Sequence, residues 1–212
     1  MPTPSRAKRP ARPRRKTYHH GDLKRALRDA ATRLLAERGG DGLTLREAAR
    51  LVGVNHAAAY RHFADKRALL AAVAEEGYAA LARRMRDADA GTARADVAER
   101  LRRIGTAYVE FARAEPALFG LMTGPRLNED GRFPAVEQAL QQGVDALEAP
   151  LRDGQAAGVL RAASIEGQAL TLLTLIHGYA ALVLTRRIHV KPARIGEYLG
   201  TLLEPLLRGL SR

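Results

Sequence analysis

The chain has 212 residues, enough for one all-helical domain or a small module joined to a larger one, and enough in either case to bury a real core. Aromatic residues make up only 5% and Trp is absent, so the core falls to Leu, Ala and Val; no Cys is present, which excludes a disulfide framework and thiolate metal sites and suits a reducing cytoplasm. A formal charge of +12 points to a polyanion such as nucleic acid, although an anionic membrane surface would also attract it.

Residues 1–16 hold seven Lys or Arg and no acid, more than half of that excess. With Pro2, Pro4, Pro10 and Pro13 and so little apolar surface, residues 1–17 are expected to form a disordered basic arm. No apolar run comes after the basic residues, so the arm is not a secretory signal. Two readings stay open for it: a solubilising leader, or an arm that tracks phosphates or enters a minor groove. His19 and His20 are adjacent but have no further ligand nearby, and no metal site is expected.

The first helix is predicted from Asp22 to Arg38. Leu23, Ala26, Leu27, Ala30, Ala31, Leu34 and Leu35 form one apolar stripe, with Lys24, Arg25, Arg28 and Arg33 off it. Gly39, Gly40 and Gly42 break it. The stripe is expected to pack behind the next two helices, giving a three-helix unit with Leu23, Leu27, Leu34, Leu45, Ala49, Val54 and Phe63 as its core.

Thr44 to Lys66 reads as a helix-turn-helix. Thr44 begins a capping box in which it accepts from the Glu47 amide while the Glu47 side chain returns to the Thr44 amide. Leu45, Ala48, Ala49 and Val52 recur with helical spacing, and Gly53 ends the helix by tolerating positive φ. The second helix begins at Asn55. Its exposed first turn is Asn55, His56, Ala57 and Ala58, small or capping residues that let the backbone approach base edges: Ala57 and Ala58 suit thymine methyls, Asn55 or His56 hydrogen bonds. Arg46, a cation in a first helical turn, opposes the helix dipole, a placement that a phosphate or a guanine edge would compensate. Tyr60 and His62 can donate to phosphates, with packing inside the unit as the alternative for Tyr60. Lys66, just beyond the expected cap Asp65, can reach the backbone from the next helix.

That fourth helix carries Leu69, Leu70, Val73, Gly77, Tyr78, Leu81 and Met85 and is the natural lever between the helix-turn-helix unit and the C-terminal part of the chain. The segment Asp87 to Asp96 is expected to be a loop. Val97, Leu101, Ile104, Tyr108 and Phe111 mark another helix, ended by Pro116. Ala117 to Met122 is short and apolar, with an irregular stretch after it. A further helix is predicted from near Pro134 past Val136, Leu140, Val144, Leu147 and Leu151 despite Pro150.

Ser164 to Arg187 is predicted as the most apolar helix, with Leu170, Leu172, Leu173, Leu175, Ile176, Tyr179, Leu182, Val183 and Leu184 around its circumference, so it should be buried on more than one face. A membrane span is not expected: the uncharged run from Gln168 to Thr185 contains Gln168, three Thr, His177 and Gly178. The last helix, from about Ala193 to Leu210, adds Ile195, Leu199, Leu202, Leu203, Leu206 and Leu207. These two terminal helices could form a four-helix interface in a homodimer.

Candidate ligand contacts are Tyr108, Phe111, Phe119, Met122 and His177. His177 could equally be a core histidine satisfied by a carbonyl. Phe133 and Tyr179 join the first four as core or as the wall of an apolar pocket for a hydrophobic or aromatic molecule. No phosphate-binding Gly loop, HExxH or Cys nucleophile occurs, so no catalytic residues, cofactor or enzymatic activity are expected. A sequence-nonspecific nucleoid or architectural binder would also account for the charge and the arm, but would not require the large apolar C-terminal half.

TLREAARLVGVNHAAAYRHFADKRALL resembles the DNA-binding domain of the TetR family of transcriptional regulators, through the cap Thr44, the turn Gly53-Val54, Tyr60-Arg61-His62-Phe63 and Lys66, over about residues 18–75. That resemblance implies phosphate contacts by Tyr60, His62 and Lys66, base-facing roles for Arg46 and residues 55–58, and an anchoring role for Thr44. It also implies a cytoplasmic dimer on palindromic operator DNA, usually a repressor released by a small molecule. FARAEPALFGLM resembles the regulatory domain of a branch named for a Trp-His-Gly motif, which reads Ile176-His177-Gly178 here. The expected architecture is all-α, with residues 1–17 as the arm, 18–66 as the helix-turn-helix domain and 67–212 as a helical regulatory and dimerisation domain.

Overall fold

The computed structural model describes residues 20–40, 42–93, 96–124 and 127–211; the basic arm and His19 lie outside them. Among the described residues are nine α-helices and no strand: α1 His20–Arg38, α2 Leu45–Val52, α3 His56–Tyr60, α4 Lys66–Asp89, α5 Val97–Ala114, α6 Pro116–Thr123, α7 Pro134–Ala156, α8 Ile165–Leu184 and α9 Ile195–Leu210. The fold is all-α, as the periodicities predict.

Local chemistry fixes the first helices. The stripe of α1 is buried at Leu23, Leu27, Ala30, Ala31, Leu34 and Leu35, and packs on α2, α4 and α6. Thr44 caps α2, and Gly53 closes it at φ 77°, where a Cβ would clash with its own backbone. Of the expected small core, Val54 is only half-buried, because it sits in the turn between α2 and α3.

Helix α4 runs from this unit into the rest of the chain and packs most extensively on α7 and α5. It extends through Asp89, correcting the loop expected from Asp87. The reason is tertiary: the Asp89 carboxylate accepts from Arg100 Nε at 2.7 Å, and Arg100 also donates to Asp153 at 2.8 Å, pinning the ends of α4 and α7 to the start of α5. The short apolar run after α5 forms α6, with Pro116 at its first turn, where a missing N–H costs nothing. A Cβ on Gly77 would stand 2.7 Å from Met122 Sδ, so this glycine is what lets α6 dock on α4.

Helix α7 continues through Pro150, and α8 spans Ile165–Leu184 with Ser164 as its cap. Alone among the described helices, α8 is long and apolar enough by composition to cross a membrane. Here Gln168, Ala169, Leu172, Ile176, Tyr179 and Ala180 form its buried face, against α5, α7 and α9. Its other face leaves Leu170 63% and Leu182 45% exposed, and α9 leaves Tyr198 and Leu202 exposed, so within one chain α8 is buried on one side only.

Candidate nucleic-acid interface and internal cavity

Short-range bonds set α2 and α3 against each other. Thr44 Oγ1 accepts from the Glu47 amide at 3.1 Å, as expected of a cap, but the return half differs from the expectation. Glu47 Oε2 takes the Thr44 hydroxyl at 3.1 Å and Oε1 takes Arg38 Nη1 at 2.9 Å, so the carboxylate ties α2 to the end of α1 instead of reaching the Thr44 amide. A guanidinium nearby outcompetes a neutral amide for that carboxylate.

Asn55 caps α3 through Oδ1, which accepts from the Ala57 amide at 3.0 Å. That bond fixes the side chain and leaves its NH₂ as a donor for another molecule. His56 and Ala57 are exposed, Ala58 is half-buried, and Ala59 is fully buried against the core, which pins the short helix in place. Tyr60 is 53% exposed and meets His56 edge-on with ring centroids 6.5 Å apart, so it is not the packing residue of the alternative reading. Arg46 projects from the first turn of α2 and is exposed; Arg61, exposed after α3, extends the same surface. His62 and Lys66 are half-buried, with Lys66 the first residue of α4. Arg46, Arg61 and Lys66 make no ion pair with any described residue. Asp65 caps α4 through the Ala68 amide at 2.7 Å, and that bond, with the Arg132 guanidinium beside it, holds its carboxyl below the usual range. The resulting surface combines unpaired cations, hydrogen-bond donors and small residues around one helix N-terminus, a set suited to phosphate and base-edge contact.

A second feature lies inside the bundle. Five helices line a cavity of about 460 Å³ that is partly open to solvent, with Tyr78, Leu81 and Met85 of α4, Tyr108 of α5, Met122 and Thr123 of α6, Leu140, Gly143 and Val144 of α7, and Leu173, Thr174, His177 and Gly178 of α8 in its wall. None of the described residues that line it is an Asp, Glu, Lys or Arg. Of the five ligand candidates, the fold brings Tyr108, Met122 and His177 to the cavity. Phe119 stands one layer behind, stacked on His177 with centroids 5.6 Å apart and edge-on to Tyr108 at 5.5 Å. Phe111 is fully buried elsewhere under the guanidinium of Arg84 and does not line the cavity. His177 Nδ1 lies 3.0 Å from the Tyr108 hydroxyl, so its partner is a side chain and not a carbonyl. Burial raises the Tyr108 pKa above the ordinary tyrosine range and keeps the hydroxyl protonated. The α4 and α7 lining residues pass for core in the sequence. Only the spacing of Tyr78, Leu81 and Met85, which puts them on one face of α4, signals that they share an environment.

An all-helical chain that carries an exposed helix-turn-helix beside a helical bundle with a ligand-sized cavity defines a class, the DNA-binding regulators with a regulatory domain. Residues 27–73 match the family model for bacterial regulatory proteins of the tetR family, and residues 101–206, half of the chain, match the tetracyclin repressor-like C-terminal domain. The chain belongs to the tetR family and is a DNA-binding transcriptional regulator. Among solved structures it is similar to a protein of unknown function from Rhodococcus sp. RHA1, at 31% identity and TM-score 0.79, with 93% of this chain and 100% of that one covered. It is also similar in fold to the TetR family transcriptional regulator PfmR from Thermus thermophilus, at 24% identity and TM-score 0.63 over 89% of this chain and 96% of that one. A bacterial regulatory protein in the tetR family from Rhodococcus RHA1 shares the fold at 21% identity and TM-score 0.65, over 89% and 97% of the two chains. Comparison with curated proteins finds no significant match.

Proposed function

We propose that this regulator is a homodimeric repressor of palindromic operators, released when a small hydrophobic or aromatic molecule fills the cavity. The observation that carries the reading is that one helix serves both regions: α4 opens with Lys66 beside the helix-turn-helix and contributes Tyr78, Leu81 and Met85 to the cavity wall. A ligand that favours a different tilt of α4 changes where the two recognition helices stand relative to successive major grooves, roughly 34 Å apart.

In this reading Arg46, His56, Ala57, Ala58 and the Asn55 NH₂ face base edges, Tyr60, His62 and Lys66 hold phosphates, and Thr44 anchors α2. Residues 18–66 act as the DNA-binding unit and residues 67–212 as the regulatory and dimerisation unit. The exposed apolar faces of α8 and α9 pair with those of a second copy, and the protein works in the cytoplasm. The uncharged lining of the cavity favours a neutral ligand over a carboxylate or an ammonium, whose charge it would leave unpaired.

Affinity for a duplex enriched by the protein from fragments of its source genome, against a scrambled duplex at the same salt, tests the reading. Discrimination of at least about tenfold supports sequence-specific regulation, whereas equal affinities would indicate a nonspecific architectural binder.

A further inference from the structure

The segment 127–133, which leads into α7, reaches back to the first turn of α4. Arg67 donates through Nη1 and Nη2 to the two carboxylate oxygens of Asp130, each at 2.8 Å, and through Nε to the Leu127 carbonyl at 2.8 Å. A second pair runs in the opposite sense, with Arg132 Nη2 donating to Asp65 Oδ2 at 2.7 Å. The other oxygen of Asp65 is the one that caps α4. Both guanidinium groups lie over the ring of Phe133, at 5.4 Å for Arg67 and 5.1 Å for Arg132. The Phe133 amide in turn donates to Asn128 Oδ1, which folds the segment on itself. Lys66 stands between Asp65 and Arg67, bracketed by the two pairs.

Side chains as exposed as Arg67 and Asp130 gain little from their charges alone. A bidentate fork with a third bond to a carbonyl and an aromatic ring against the guanidinium is, however, geometrically specific. Its effect is to fix a direction more than to add stability.

We propose that Arg67 and Asp130, supported by Arg132 and Asp65, are positioning residues for the DNA grip: they clamp the first turn of α4 to the α6–α7 segment and so set where Lys66 points. The inference rests on the reading of Lys66 as a phosphate contact and adds a determinant outside the helix-turn-helix. It also gives the cavity a route to the DNA surface. A smaller chamber of about 320 Å³ shares Tyr78, Met122, Thr123 and Leu140 with the main cavity and is walled on its other side by Leu127 and Asn128 of the clamp segment. A ligand that displaces this wall moves the residues that hold Arg67.

The test uses the full chain and a duplex that the unaltered protein enriches from a random-sequence library. Asp130→Asn removes an acid from a DNA-binding protein, so charge alone predicts equal or tighter binding. The clamp predicts a loss of about fivefold, the lower end of typical coupling between sites. Arg67→Ala should also weaken binding, and the double variant should be no weaker than Arg67→Ala, because both changes break one interaction. Amide hydrogen exchange across residues 64–72 should quicken in both variants while residues 97–112 keep their protection. Tighter or unchanged binding by Asp130→Asn, or additive losses, would overturn the proposal. If the unaltered chain enriches no sequence, the reading as a sequence-specific regulator fails by itself; exchange that is then unchanged by Asp130→Asn overturns the clamp as well, and quickened exchange upholds the clamp as a tie on α4.

Discussion

The hydroxyl of Tyr108 stands 3.0 Å from Nδ1 of His177, joining α5 to α8 at the cavity wall. Tyr108→Phe removes the partner of that nitrogen, and the expected cost is about 1 kcal/mol of folding stability, the usual net value of one hydrogen bond. If His177 also meets the ligand, its fixed orientation matters twice. Ligand affinity measured by calorimetry should fall in Tyr108→Phe by more than the loss in cavity contact explains, and His177→Phe should abolish selectivity for ligands that carry a hydrogen-bonding group. Equal ligand affinity across the three proteins would remove both residues from the binding site.

Tyr78 provides a pH signature. Its hydroxyl donates to the Met122 carbonyl, and burial, with a smaller contribution from the Glu137 carboxylate, pushes its pKa up to about 12. An unfolded tyrosine titrates near 10, so between those values the unfolded chain releases a proton that the folded chain keeps. The stability this contributes is complete below about pH 10 and is lost as pH rises through about 12. Tyr108 and Tyr179, also raised by burial, add to the same slope. Urea melts from about pH 9 upward should therefore show falling stability, less steep in Tyr78→Phe; an identical slope in that variant would show that Tyr78 titrates alike in both states.

What the sequence made legible, and what it hid, divides along the range of the interactions. The caps Thr44, Asn55 and Asp65 and the stripe of α1 depend on residues two to four apart, and these are readable by spacing. Helix α6 is hidden because a continuous apolar run of so few residues has no period to count. The extension of α4 to Asp89 depends on Arg100, a residue beyond the turn. The cavity draws on five helices, so choosing candidates for being aromatic finds Tyr108 but also Phe111, which faces elsewhere. Arg67 and Asp130 are 63 positions apart and each looks like an ordinary surface charge.

The two kinds of DNA contact should separate by salt. Lys66→Ala is expected to weaken binding to all duplexes and to shallow the slope of affinity against salt by about one phosphate's worth. His56→Ala should leave that slope unchanged and alter base preference at one position of each half-site. A Lys66→Ala protein with an unchanged slope would rule out the phosphate contact.

The exposed apolar residues of α8 and α9 predict the oligomer. Leu170 is 63% and Leu202 43% exposed in the single chain, apolar side chains that face solvent until a partner covers them. Leu170→Glu and Leu202→Glu should each shift sedimentation from dimer to monomer and reduce operator affinity with it, because half-sites are bound together or weakly. Dimers that persist in both variants would place the interface on another surface.

Helix α4 is proposed to carry the state of the cavity to the helix-turn-helix. Operator affinity at fixed salt, measured with the cavity empty and then saturated by whichever neutral aromatic compound raises the melting temperature most in a screen, bears on this without intermediaries. A 5- to 150-fold loss is expected on saturation, corresponding to a coupling of about 1–3 kcal/mol. An affinity that is the same in both states would contradict the role of α4.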